Sequence, residues 1–373
     1  MRVTFLLPVA NLRGGTRVVA VYASMLRERG HTVTVLSRRP ARQPLRARVK
    51  SLATGRWPGW GAPKPPPSHL DDLGLDWHIV EHDGPLTDDD LPDADVAVAT
   101  WWETAAWLAD LRPSTGARVY FCQGYDTHTG LPIDRVLETY RLPMLQVCVS
   151  RWVAEQIEGA TGRGGQIIVP NGVDHARFDG SERSKRADRC RIGFMYSDAQ
   201  IKGIDLAIRA LEQAREARPT LEAVCFSAKP PCDRVPLPGW IACDVAPSQA
   251  AIASLYASCD AWLVPSRHEG FGLPLLEAMA SRTPIIATPA GAAPELLSGG
   301  GGIPIVHEDV DGLTGAILEI EGMTTDAWEA MSSRAYQTSQ SYTWQRSSDL
   351  FERALQQAAD RSEQTSALQG TAR

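Results

Sequence analysis

Two successive blocks of alternating strand-like and helix-like segments predict an α/β protein with two parallel-sheet domains facing a central cleft. Short apolar runs separated by helical segments are the mark of a parallel sheet covered by helices on both faces. The alternation breaks once, near mid-chain, at Pro170-Asn-Gly-Val-Asp174, and then restarts. A length of 373 residues is enough for two domains of ordinary size.

The first element is Val3–Ala10, read as a buried strand. It is far too short to span a bilayer and lacks the flanks of a secretory signal. A helix follows over Thr16–Gly30 and a second strand over Thr32–Leu36. The loop between first strand and first helix, Asn11 to Arg17, holds the pair Gly14-Gly15 and leaves free amides at a helix start. It is not G-x-G-x-x-G, so a dinucleotide site is not expected there. Val96–Ala99, Val119–Cys122 and Leu145–Val149 continue the first sheet. After the Asn-Gly interruption, read as an interdomain linker, strands are expected at Arg191–Met195, Leu221–Phe226, Trp240–Ile241 and Ala261–Val264. Helices are expected at Asp205–Ala217 and Ala250–Ala257. From Thr343 onward, apolar residues at 344, 351, 355 and 358 fall on one helical face. Residues 361–373 are polar and are expected to fray. The domain bounds that follow are 1–168, 169–341, a terminal helix over 342–360 and a flexible tail over 361–373.

Composition narrows the function. Hydrophobic residues make up 43% and charged residues 22%, which fits a soluble globular protein. A net charge of −6 argues against general nucleic-acid binding. Seven scattered cysteines without C-x-x-C pairing read as reduced thiols, with no metal site. Asp88-Asp-Asp90 belongs to an acidic surface run over Asp71 to Asp95. Ahead of that run, residues 38–64 carry eight cations and no carboxylate, with Trp57 and Trp60 interleaved. Such a stretch repels itself, is expected to be poorly ordered in isolation, and suits peripheral contact with an anionic membrane.

The most informative stretch is Pro265-Ser-Arg-His-Glu269-Gly-Phe-Gly-Leu-Pro274-Leu-Leu-Glu277. It leads from an apolar strand into a helix whose first turn holds Pro274, where a missing N–H costs nothing. Gly270 and Gly272 allow close backbone approach. The helix start is a natural phosphate seat, and two carboxylates eight positions apart suit the hydroxyls of a ribose and a sugar. A phosphate seat flanked by hydroxyl acceptors suggests a nucleotide sugar.

These residues, with Thr283-Pro-Ile-Ile-Ala-Thr-Pro-Ala-Gly-Ala-Ala-Pro-Glu295 after them, resemble the E-x7-E signature and continuation of retaining GT-B glycosyltransferases of the fourth sequence family (glycosyl transferases group 1). The resemblance implies a GT-B fold of two Rossmann-like domains, with the last helix crossing back to the N-terminal domain. It implies that Glu277 holds the ribose, Glu269 the donor sugar, and Lys202 with the amides of Phe271, Gly272 and Leu273 the diphosphate, with Gly270 counted in the donor site. Gly14 and Gly15 are expected near that diphosphate. Lys202-Gly203 fits the family's donor-phosphate segment, but Tyr196 and Ser197 stand where an Arg is usual. Ser197 is counted with the donor site. The acceptor is expected at Gln123, Tyr125 and Asp126, with Asp126 and His128 as candidates for its hydroxyl. The Gln-Gly-Tyr-Asp run is similar to relatives that transfer rhamnose or other deoxysugars.

The resulting expectation is a cytoplasmic, metal-independent hexosyl or deoxyhexosyl transferase, peripheral to the inner face of a membrane. It needs no cofactor beyond a UDP, GDP or dTDP sugar as co-substrate. Its acceptor is a saccharide, a lipid-linked compound or a small molecule. Two rival readings are a non-catalytic sugar-binding partner of the same fold and a nucleotide-sugar epimerase. Donor hydrolysis separates the first, and product analysis without acceptor separates the second.

Overall fold

The computed structural model describes residues 1–40, 66–71, 73–82, 84–185 and 189–371. The first sheet has seven strands: β1 (Arg2–Leu7), β2 (Thr32–Ser37), β3 (Asp76–Ile79), β4 (Val96–Ala99), β5 (Ala117–Cys122), β6 (Leu145–Cys148) and β7 (Ile167–Ile168). Their order is β3-β2-β1-β4-β5-β6-β7, with every pairing parallel. The second has six: β8 (Arg191–Met195), β9 (Glu222–Ser227), β10 (Ala242–Val245), β11 (Ala261–Val264), β12 (Ile285–Ala287) and β13 (Gly302–Pro304). Their order is β10-β9-β8-β11-β12-β13, again all parallel.

Strands at the centre of such sheets are covered on both faces and so read as unbroken apolar runs. β4 (Val-Ala-Val-Ala) and β11 (Ala-Trp-Leu-Val) are buried at every position. Each sheet reverses its direction of growth once, between β1 and β4 and between β8 and β11. Ligand crevices of open α/β sheets form outside the strand carboxyl ends at such switch points. The segments following β1, β8 and β11 hold Gly14-Gly15 at a helix start, Lys202 and Glu269 respectively.

The strand expected at Trp240–Ile241 lies instead at Ala242–Val245. Ile241 is buried, but its N–H donates to Pro238 O in a turn. The apolar pair marks the entry to an edge strand whose own residues are mostly exposed. The last helix spans Trp344–Thr371, past residue 360. Its Ala-, Gln-, Glu- and Arg-rich sequence holds no Pro, and its lone Gly is at position 370.

That helix packs on the first domain. Phe351 is fully buried there, stacked on Tyr22 at 4.4 Å and edge-on to Phe121 at 5.1 Å. Arg29 pairs with both Asp349 and Glu352 at 2.6 Å. Among the described residues no helix is long and apolar enough to cross a membrane. Most of the basic stretch, from Arg42 to Lys64, lies outside the described residues. Arg38, at its start, sits 3.7 Å from Glu103 and over the Trp107 ring.

Candidate active site

The E-x7-E turn leaves β11 and enters the helix Leu273–Ala280. Gly272 caps that helix in the left-handed region, at φ 89°, which glycine adopts without a Cβ penalty. Gly270 answers a different demand: a Cβ there would run into the Gln123 carbonyl of the other domain. The turn is therefore pressed against the loop after β5. Ser150 Oγ donates to Gly270 O at 2.8 Å, and Glu295 Oε1 accepts from the Arg151 N–H at 2.8 Å. Gly14 and Gly15 belong to the same junction. A Cβ on Gly14 would sit 3.9 Å from Leu273 Cδ1, and one on Gly15 3.5 Å from Gln123 Oε1.

Both carboxylates are held by charge. Lys202 Nζ donates to Glu269 Oε1 at 2.6 Å, and Ser266 Oγ donates to the same oxygen at 2.9 Å. Gly203, next to Lys202, is left-handed at φ 63°, and a Cβ there would meet Pro265 O, so this loop lies directly on the turn. Glu277 is buried; Arg17 Nη1 donates to its Oε1 at 2.7 Å and Tyr256 OH to its Oε2 at 3.0 Å. Burial, and then the Glu277 charge, push the Tyr256 phenol well above its usual range, so it stays a donor. Phe271 is buried against Tyr342, and Leu273 is half-buried at the helix start. The positions where the family resemblance places an Arg are spent locally. Tyr196 OH donates to Val235 O at 2.7 Å and accepts from the Cys232 N–H at 3.0 Å. Ser197 Oγ accepts from the Ala199 N–H. Arg267, on the turn, is forked between Asp205 (2.8 and 2.9 Å) and Glu308 (2.5 and 3.0 Å).

Across the cleft, the loop after β5 carries Gln123, Tyr125, Asp126 and His128. Tyr125 stacks on Tyr140 at 5.9 Å and meets Trp152 edge-on; Trp152 in turn meets His268 at 6.2 Å. An aromatic row thus links the acceptor-side loop to the residue before Glu269. Burial holds His268 below the usual imidazole range, helped by the positive charges of His128 and His307. Its Nδ1 is buried and has no hydrogen-bond partner among the described residues. The Asp126 N–H donates to Tyr140 OH, and burial pushes its carboxyl up to about 7. The native chain then keeps this proton to about pH 7, whereas an unfolded Asp loses it near pH 4. The native state binds more protons in that window, so its stability falls as pH rises through it. Asp126→Asn is expected to raise the melting temperature by a few degrees at about pH 8.5 and to leave it unchanged at about pH 4. Thermal denaturation at the two pH values checks this.

Glu269, Glu277, Lys202, Gly14, Gly15, Gly270, Gly272, Leu273 and Gln123 are thus brought together at one junction. Tyr125, Asp126 and His128 lie on the same loop as Gln123, after β5, while Ser197 is engaged in its own turn. Arg17, Tyr256, Ser266, Trp152 and His268 are site residues that carry no motif of their own. The Asp88–Asp90 run is structural: Asp88 accepts from the Arg112 N–H, and Asp90 from Thr87 and His82.

Residues 12–177 match the family model for glycosyltransferase family 4, and residues 189–322 that for glycosyl transferases group 1. A curated MMP α-(1→4)-mannosyltransferase of Mycolicibacterium hassiacum is 32% identical over 158 residues, 40% of this chain and 38% of that protein. A lipopolysaccharide core biosynthesis mannosyltransferase of Rhizobium leguminosarum is 31% identical over 169 residues, 40% of this chain and 48% of that one. A D-inositol 3-phosphate glycosyltransferase of Actinosynnema mirum is 27% identical, over 52% of each chain. The chain spans about half or less of the length of these three relatives. Among solved structures, Anabaena HepE in complex with UDP superposes with a TM-score of 0.71 at 17% identity, over 96% of this chain and 100% of that one. The sucrose-phosphate synthase of Thermosynechococcus elongatus gives 0.68 at 14% identity, over 99% and 100%. Those identities speak for the fold alone. With two parallel-sheet domains, a terminal helix returning to the first, and family models covering both halves, the chain belongs to the family 4, group 1 glycosyltransferases of GT-B fold.

Proposed function

We propose that this protein transfers a sugar from a nucleoside diphosphate sugar to an acceptor hydroxyl, with retention at the anomeric carbon and without a metal ion. The observation that carries this reading is Lys202 paired with Glu269 beside the start of the Leu273–Ala280 helix, with Glu277 one turn behind. In this reading the diphosphate sits over the helix start, Glu277 accepts from the ribose and Glu269 from the sugar. The bond from the anomeric carbon to the diphosphate oxygen breaks as the acceptor oxygen bonds on the same face. The acceptor proton passes to the departing phosphate oxygen. Lys202 and the free amides of the turn stabilise the charge that builds there. Asp126, on the acceptor side, orients the hydroxyl.

We infer a hexose or deoxyhexose donor. Mannosyl transfer is named for two of the relatives, UDP is bound by HepE, and the Gln123-Gly-Tyr125-Asp126 run supports the deoxysugar side. The acceptor is a saccharide, a lipid-linked compound or a small molecule, met in the cytoplasm. The test is thermal denaturation with UDP, GDP, dTDP and their hexoses, followed by transfer assays with chelator. A ligand at about 100 times its Kd stabilises the fold by about 2.7 kcal/mol. No stabilisation by any of these ligands sinks the donor assignment, and strict dependence on magnesium or manganese sinks the metal-free mechanism. Inversion at the anomeric carbon, read by NMR of the product, sinks retention.

The basic stretch is proposed to seat the enzyme on an anionic membrane, each cation contributing about 1 kcal/mol near the surface. Changing Arg42, Arg46, Arg48 and Lys50 to Ser is expected to abolish most co-sedimentation with anionic vesicles at low salt. Equal, salt-insensitive partitioning of parent and variant, or no binding by either, points to a soluble acceptor.

A further inference from the structure

The donor-domain segment holds one cation, Lys202, for a leaving group that carries more than one negative charge. The remaining guanidinium on that side, Arg267, is held on both edges by Asp205 and Glu308, and this pairing raises its pKa above its usual range. Arg17 is different. It lies in the first turn of the helix Gly14–Glu28, in the other domain. Its side chain is 19% exposed, and Glu277 is its only polar side-chain partner among the described residues. One of its five N–H donors is used there, and the planar fork is suited to phosphate. Burial lowers the neighbouring His69 imidazole first, and the positive charge of Arg17 lowers it further.

The placement matches the chemistry. Gly14, three residues before Arg17, abuts Leu273 at the start of the Leu273–Ala280 helix. Glu277 lies one helical turn along, about 5.4 Å in axial rise. A guanidinium that reaches Glu277 thus lies on the same side of the junction as the helix start that Gly14 abuts. We propose that Arg17 is a second cationic contact of the donor diphosphate, supplied from the acceptor domain, and that it turns onto the diphosphate when the ribose hydroxyls engage Glu277. This rests on reading the turn as the donor seat. It makes donor binding and contact between the domains one event, because a single side chain bridges both.

The test is titration calorimetry on the full chain with UDP, GDP and dTDP, each paired with uridine, guanosine or thymidine. Arg17→Gln is expected to weaken the diphosphate that binds the parent by about tenfold or more. Its affinity for the matching nucleoside should stay at the parental value. Arg17→Lys keeps a charge and a partner for Glu277 but loses the fork, and is expected to lose about threefold for the diphosphate alone. It also serves as the readout if Arg17→Gln does not fold. Equal losses for nucleoside and diphosphate would mean that Arg17 only holds Glu277, and the proposal fails. Parental diphosphate affinity in the variants overturns it as well. If the parent binds no nucleoside diphosphate, the donor seat itself is wrong and this inference falls with it. Loss of discrimination in Arg17→Gln beside a binding parent isolates the role of Arg17.

Discussion

Lys202→Ala is expected to lower turnover by about two to three orders of magnitude, or about 2–4 kcal/mol of transition-state stabilisation, the range found when a preorganised charge stabiliser is removed. The geometry makes the effect specific. Lys202 touches Glu269 at 2.6 Å and is held over the turn by the close seat of Gly203 on Pro265 O. In the proposed mechanism the ammonium then follows the departing diphosphate without rebuilding the loop. Nucleoside affinity should change little, since the role proposed for Lys202 is at the phosphate and sugar end. Steady-state kinetics with the donor found by thermal shift checks this. Parental kcat in Lys202→Ala would remove Lys202 from the mechanism. A cost to the fold is also expected, because Glu269, only 9% exposed, would keep Ser266 alone as partner.

Glu277→Ala is expected to weaken nucleotide binding by about ten- to a hundredfold, the 1.5–3 kcal/mol of hydrogen bonds to a charged acceptor. Here nucleoside and diphosphate should lose affinity together, because the ribose is common to both. That pattern differs from the one expected for Arg17→Gln. The same change strips Arg17 and the buried Tyr256 hydroxyl of their partner. A lower melting temperature should accompany it, and Glu277→Gln, which keeps the shape, should recover part of the stability. Calorimetry on the folded variants separates the two effects. Unchanged nucleoside affinity in Glu277→Ala would place the ribose elsewhere.

The two-domain α/β architecture, the central strands and the glycosyltransferase family were legible because they are written locally. Period, apolar runs and turn residues fix where backbone turns and which strands are buried. The turn from Pro265 to Glu277 likewise carries its own geometry, with Gly272 left-handed and Pro274 in the first helical turn. Edge strand β10 was misplaced by two residues, since an edge strand carries few apolar residues to mark it.

What the sequence could not express is who meets whom across the cleft. Arg17 and Glu277 are 260 residues apart and nothing near either names the other. Gly270 reads as a flexible turn residue, yet its reason is the carbonyl of Gln123 in the opposite domain. Asp126 reads as a candidate for the acceptor hydroxyl, but nothing in the sequence shows the burial that moves its carboxyl up to about 7. The sequence by itself determined the strand order's raw material, the family and the local geometry of the turn from Pro265 to Glu277, because backbone conformation and hydrophobic period are local properties. The tertiary structure alone decided which charges are paired and which are buried, because those depend on distances and desolvation that exist only once the two sheets have packed.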